Sequence, residues 1–169
     1  MPCWPKVLLV TKPFQRREAF EKSCPLGLEI FDGLRAVPGW RGCGWSYKFL
    51  CQSALEAGLP RLLICEDDVE LPEQHAQMLA IVERYLDHLE EVGAGWDVYV
   101  GLIAHLHPEA CVLDVQQREG LTFVTLDTMT SMVFNLYSPR AMELIARWSP
   151  DGDAQHNTID RYLESQTRL

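Results

Sequence analysis

Short apolar runs alternate along this chain with longer stretches in which apolar residues recur every three or four positions. The first pattern predicts buried strands and the second predicts amphipathic helices. Strands are expected at 6–11 (KVLLVT), 28–31 (LEIF), 61–69 (RLLICEDDV), 96–103 (WDVYVGLI) and 132–137, with 111–115 and 121–126 forming a hairpin or two short strands. Helices are expected at 15–24, ending before Pro25, and at 46–57, where Ser46 would cap the start and Phe49, Leu50, Ala54 and Leu55 would form the apolar side. A third helix has Pro72 in its first turn and carries Met78, Leu79, Val82, Leu86 and Leu89 before Gly93 and Gly95. Ser138 followed by Pro139 predicts a capped helix reaching about Trp148, and a last helix is expected at 158–165. The segment 37–44, rich in Gly and Pro, reads as a loop. Strands alternating with helices indicate an α/β fold, here a single domain with a layered sheet.

Composition leaves that picture in place. With 169 residues, 47% hydrophobic and 23% charged, the chain has the make-up of one globular domain. No apolar run approaches the roughly 18 residues that a membrane-spanning helix needs. The first ten residues carry no basic leader followed by an apolar stretch, so no export signal is expected and the expected location is cytoplasmic. Six cysteines occur without a CxxC pair, which argues against a zinc ribbon, and Cys51 and Cys65 fall on apolar patterns that suit small core residues. The net charge of −9 opposes an extended nucleic-acid surface.

The chemistry concentrates at one place. Leu62, Leu63, Ile64 and Cys65 need burial on both faces, and Glu66, Asp67 and Asp68 follow at once. Carboxylates there must reach solvent or a cation, because unpaired buried charge is expensive. Ligands of open α/β sheets bind outside the carboxyl ends of the strands. Strand alternation would send Glu66 and Asp68 one way and Asp67 the other. Oxygen ligands suit hard cations such as Mn2+ or Mg2+. The same acids could serve a metal-dependent phosphoesterase or nuclease, which would want further acids and histidines at other strand ends and a basic path for its substrate, or they could simply mark a solvated strand end.

The surrounding residues narrow the choice. Gly42-Cys43-x-x-Ser46, then a helix, then Leu62 to Val69 (LLICEDDV) resembles glycosyltransferase family 25, which includes bacterial lipooligosaccharide galactosyltransferases and collagen galactosyltransferases. Residues 7–17 (VLLVTKPFQRR), 28–33, 96–101 (WDVYVG), 133–141 (VFNLYSPRA) and 157–163 (NTIDRYL) are similar to further family segments in the same order, so the resemblance spans nearly the whole chain. Tyr47 stands where the family carries His, which leaves a catalytically weak nucleotide-sugar-binding protein as a further alternative.

The resemblance implies a GT-A fold, a Rossmann-like mixed sheet flanked by helices, with a UDP-sugar donor and a metal-assisted, inverting transfer of a hexose to a sugar, lipid-linked or protein acceptor. Asp68 and Glu66 are then the expected metal ligands, with His156 as a third that could fold back from near the chain end. Asp67 is expected at the donor and the reacting sugar. Thr11, Lys12 and Arg17, with Arg16 as the neighbouring choice, follow the first strand where a nucleotide would lie, and arginine suits phosphate through its fork of donors. Ser46 could line the donor pocket as well as cap its helix. An inverting transfer needs a base for the acceptor hydroxyl, and Asp160 is the expected one, with Asp153 as the alternative. His105 and His107 read as ordinary loop histidines, and Trp4, Trp40 and Trp45 as packing residues, with Trp40 also able to stack on a base or sugar.

Overall fold

The computed structural model describes residues 6–10, 27–69, 71–103, 105–128 and 131–166. The expected helix at 15–24, Thr11, Lys12, Arg16, Arg17 and Trp4 lie outside them.

The protein is mixed α/β. Strands β1 (Lys6–Val10), β2 (Glu29–Asp32), β3 (Leu62–Glu66), β4 (Val98–Val100) and β7 (Phe134–Tyr137) form one sheet in the order β2-β1-β3-β7-β4. β1 pairs in parallel with β2 and β3, aligning Val10 with Asp32 and Leu9 with Glu66. β7 runs antiparallel between β3 and β4. The carboxyl ends of β1, β2, β3 and β4 and the start of β7 therefore share one sheet edge.

Alternation along β3 divides the core. Leu62 and Ile64 face a layer built from α1 (Gly39–Glu56), α3 (Pro139–Arg147) and α4 (Ile159–Gln166). Leu63 and Cys65 face α2 (His75–Glu91), whose Leu79, Val82 and Leu86 carry the predicted helical spacing. Phe123 joins this second face from the hairpin of β5 (Val112–Arg118) and β6 (Leu121–Leu126), stacked on Tyr85 with ring centres 4.0 Å apart. All four β3 residues from Leu62 to Cys65 are at most 1% exposed, as a strand covered on both sides requires. Both hairpin turn residues have positive φ, Glu119 at 48° and Gly120 at 84°, the geometry that lets a two-residue turn match the twist of its strands. Arg84 of α2 donates to both carboxylate oxygens of Glu119 through Nε and Nη2, which links the turn to the helix.

Several elements depart from the sequence reading. The segment expected as a loop, 37–44, mostly belongs to α1, which starts at Gly39. Ser46 is accordingly inside the helix and does not cap it. Two glycines that suggest a loop are there for close packing. A β-carbon on Gly42 would lie 2.3 Å from the Leu34 carbonyl oxygen, and one on Gly44 would lie 2.4 Å from the Trp148 ring. Phe49, expected on the buried side, is half exposed and stacks on Phe31 with ring centres 5.6 Å apart. The third predicted strand is shorter than 61–69: it ends at Glu66, and Asp67 and Asp68 form a turn. Arg61 precedes the strand, buried against Trp96, with its guanidinium 2.7 Å from Asp87 and 2.9 Å from Glu90. The Ser138-Pro139 start of α3 is as predicted, with the Ser138 hydroxyl accepting the Ala141 amide at 3.2 Å. Cys51 and Cys65 are both buried, as their apolar surroundings in sequence suggest.

Candidate functional site

β3 delivers Glu66 to the shared sheet edge by the same alternation that buries Leu62 and Ile64, so Glu66 faces the layer of α1, α3 and α4. There it meets Tyr47 of α1. The Tyr47 hydroxyl, wholly buried, donates to the Met132 carbonyl at 2.6 Å and to Glu66 Oε1 at 3.0 Å, its single hydrogen shared between them. Tyr47 is thus a support beneath the carboxylate, out of reach of a ligand in solvent. The Glu66 amide donates to the Val133 carbonyl at 2.8 Å, which fixes the backbone of the strand end.

The turn that follows separates the other two acids. Asp67 is 6% exposed, whereas Asp68 is exposed to solvent. Strict alternation is therefore replaced by turn geometry beyond Glu66, and Asp68 is the more accessible carboxylate.

Asp160 comes to the same neighbourhood from the first turn of α4, where a carboxylate complements the helix dipole. Its Oδ1 accepts the Arg161 amide at 2.9 Å. Burial raises the pKa of Glu66, the Tyr47 hydrogen bond opposes that rise, and the charges of Asp68, Asp67 and Asp160 add to it. Burial also pushes the Cys43 thiol up to about 12, helped by Glu66 and Asp160. Asp160, distant in sequence, is thus close enough to be felt at the end of β3.

The other predicted residues fall elsewhere. His156 is exposed, with Nδ1 3.0 Å from Asp153 Oδ1. That oxygen also accepts the Gln155 and His156 amides, and the His156 contact, ahead of these amides, holds the Asp153 pKa below the usual carboxylate range. Asp153 is therefore a poorer proton acceptor than its residue type suggests. Among the described residues no group of three or more His, Cys, Asp or Glu side chains could hold a metal ion, so Glu66, Asp68 and His156 do not form such a set. Ser46 is 1% exposed. Its hydroxyl donates to the Gly42 carbonyl and accepts the Leu34 amide, both at 2.8 Å, which fastens the loop before α1 to the helix. His107 accepts the Glu109 amide within its own loop.

Sequence reasoning missed Trp148. Fully buried, it packs edge-on to Trp40 and Trp45, with ring centres 6.2 and 5.8 Å away. Trp40 is thereby engaged within the core face. The Trp148 indole donates to the Asn157 carbonyl at 3.1 Å, and its own carbonyl accepts Lys48 Nζ at 2.7 Å. Asn157 in turn donates to the carbonyls of Ser149 and Asp151 at 2.8 and 2.9 Å. The loop leading to Asp160 is tied to α1 by this chain of contacts. Gly44 leaves the room that the Trp148 ring fills, but in sequence it reads as part of a loop, so no local signal pointed to this packing.

In class, the protein is a mixed α/β fold that presents an acidic strand end at a shared sheet edge. Comparison with models of known protein families gives no match, and comparison with curated proteins gives none either. No helix among the described residues is long and apolar enough to cross a membrane.

Proposed function

We propose that this protein is a metal-dependent glycosyltransferase of GT-A type that moves a hexose from a UDP-sugar to an acceptor hydroxyl with inversion. The observation that carries the reading is the acidic end of the central strand, where Glu66, Asp67 and Asp68 follow one another and the charge of Asp160 reaches Glu66. Ligands of open α/β sheets gather at that edge. The resemblance of the LLICEDDV segment and its upstream Gly-Cys-x-x-Ser supplies the choice of chemistry.

The donor set fits a hard cation. A magnesium-like ion usually takes one or two carboxylates and completes its shell with water and substrate phosphates, so a full protein cage is unnecessary. Asp68, exposed, and Glu66, crowded by three like charges, would hold it. When bound, the ion would stabilise the charge developing on the departing diphosphate. Tyr47 keeps Glu66 oriented through its 3.0 Å contact. Asp160 takes the proton of the acceptor hydroxyl as the new bond from that oxygen to the anomeric carbon forms and the bond from that carbon to the diphosphate oxygen breaks.

Calorimetry with UDP tests the reading. UDP binds in Mn2+ and loses at least tenfold in affinity in excess chelator. Equal affinity in the two conditions would overturn the metal role.

A further inference from the structure

The hairpin of β5 and β6 is covered on one face only. Phe123, stacked on Tyr85, holds its inner face to α2, while Val115 and Val124, partners on the outer face, are 56% and 50% exposed. Among the described residues β5 pairs with β6 alone, so no strand lies along its other edge. Arg118 and Leu121 are the partners that close the two-residue turn. Hydrogen-bonded pairs alternate along an antiparallel ladder, so Arg118, Gln116 and Asp114 direct their backbone groups to β6, and Val115 and Gln117 direct theirs to the open edge. The Val115 amide accordingly donates to the Asp114 carboxylate, at 2.8 Å.

An open edge of this kind is a template for another strand, and its charges decide which strand fits. Between the irregularity that follows Val112 and the turn, the regular part of β5 reads Asp114-Val115-Gln116-Gln117-Arg118. The acid stands at one end, the base at the other and Gln116 in the middle. An antiparallel copy of the same segment, related by a two-fold axis at Gln116, sets Asp114 of each chain opposite the partner's Arg118 and Val115 opposite the partner's Gln117. Moving the axis to Val115 or Gln117 sets Asp114 opposite Gln116 or Gly120 and loses both charge pairs. Asp114 and Arg118 are exposed, and among the described residues neither is in an ion pair. Asp114 accepts the Val115 amide and the Gln116 side chain, and Arg118 Nη2 lies 3.2 Å from His88 Nε2.

We propose that this edge of β5 binds a second copy of the chain, strand to strand and antiparallel, joining two hairpins into one four-stranded sheet with an Asp114–Arg118 pair on either side of the axis. The Asp114 carboxylate then turns from the Val115 amide to the partner's Arg118, and that amide donates to the carbonyl of the partner's Gln117. The Val115 side chains of the two copies become diagonal neighbours on the outer face, which covers part of its exposed apolar stripe. The surface lies on the hairpin and not at the acidic edge, and the inference does not depend on the transferase reading.

Sedimentation equilibrium of the full-length protein is the test. Five paired residues a side make a small interface, so association is weak and is followed up to about 1 mM protein. The net charge of −9 opposes it at long range, so the buffer holds about 0.15 M salt, which screens charges more than about 8 Å apart and leaves touching pairs in place. The wild type forms dimers. Asp114→Arg and Arg118→Asp each place like charges opposite one another on both sides of the axis and weaken dimerisation by at least about tenfold, with the melting temperature of the monomer kept. The double variant, Asp114→Arg with Arg118→Asp, restores both pairs in reverse and recovers the dimer. A second measurement fixes the register. The two Gln116 α-carbons come about 4.5 Å apart, within the roughly 4.4–6.8 Å that a disulfide spans, so oxidised Gln116→Cys gives a link between the two 116 positions, located by mass mapping of the joined peptides. Thr122→Cys, on β6, gives no link at its position. If a charge variant does not fold, the link at 116 decides. A wild type that stays monomeric, a dimer indifferent to the single reversals, a double variant as weak as the singles, or no link at 116 overturns the inference.

Discussion

Replacing Tyr47 by Phe removes one oxygen atom and leaves the ring, so its effects report on the hydroxyl alone. That hydroxyl serves the Met132 carbonyl at 2.6 Å and Glu66 Oε1 at 3.0 Å, in a position with no solvent access. A net hydrogen bond is worth about 1 kcal/mol, and a buried carbonyl left without a partner costs about 1–3 kcal/mol, so the variant should lose roughly 2 kcal/mol. For a chain of this size each kcal/mol moves the melting temperature by about 2–4 °C, which gives a fall of about 4–8 °C. The charge on Glu66 should respond as well. In the wild type burial raises its pKa and the Tyr47 hydrogen bond opposes the rise, so Tyr47→Phe raises it further. A carboxyl whose folded pKa lies above its unfolded value binds its proton more tightly in the native state. Its contribution is therefore most favourable at acid pH and declines as pH rises from 4.5 through the folded value. The variant should extend that decline to higher pH. Melting curves across pH, with carbon NMR of the Glu66 carboxyl, make both measurements. An unchanged melting temperature together with an unchanged Glu66 titration would refute the reasoning.

Three further outcomes are expected. Asp68→Asn, at an exposed position, should keep the fold and lose about a hundredfold or more of metal-dependent UDP-sugar turnover, measured by UDP release; full turnover in the folded variant would remove Asp68 from the metal site. Asp160→Asn should leave UDP-sugar affinity nearly intact, slow transfer by about a hundred to ten thousand times, and lower the Glu66 pKa by removing one of its like charges; a stable, fully active variant would show that the base lies elsewhere. Gly44→Ala places a β-carbon 2.4 Å from a fully buried ring, so overpacking of about 1–3 kcal/mol should outweigh the roughly 1 kcal/mol gain in helix propensity, read by denaturation followed through tryptophan fluorescence.

The elements that could be read from the sequence are those whose signals are local. The run from Leu62 to Cys65 is apolar at every position because both faces of β3 are covered, and the Ser138-Pro139 pair satisfies the start of α3 from its own side chain. The start of α1 was hidden because its causes are tertiary. Pro38 precedes the helix without a side-chain cap, and Gly42 and Gly44 are selected by the approach of Leu34 and Trp148. At the site, the spacing of Glu66, Asp67 and Asp68 was visible, but their exposure was not. Alternation assumes a strand that continues, and β3 stops at Glu66. The pairing of Tyr47 with Glu66 joins residues 19 apart through packing of a helix on a sheet, which no local pattern encodes. Nothing in the sequence marks His75, whose buried Nε2 has no partner among the described residues, because an unsatisfied nitrogen becomes apparent only when its surroundings are known.

The packing of Trp148 bears on the thermodynamics of any binding event at the acidic edge. Its ring is locked by Gly44, Trp40 and Trp45, and its indole hydrogen bond holds Asn157, three residues before Asp160. Motion of Asp160 away from β3 would have to disturb a fully buried side chain, so the carboxylate is positioned before a ligand arrives. Ordering a loop on binding is an entropic loss, commonly about 0.5–1.5 kcal/mol for each immobilised side chain. A ligand meeting Asp160 would be spared that loss at α4, and the indole N–H of Trp148 should exchange with solvent as slowly in the free protein as in the bound one.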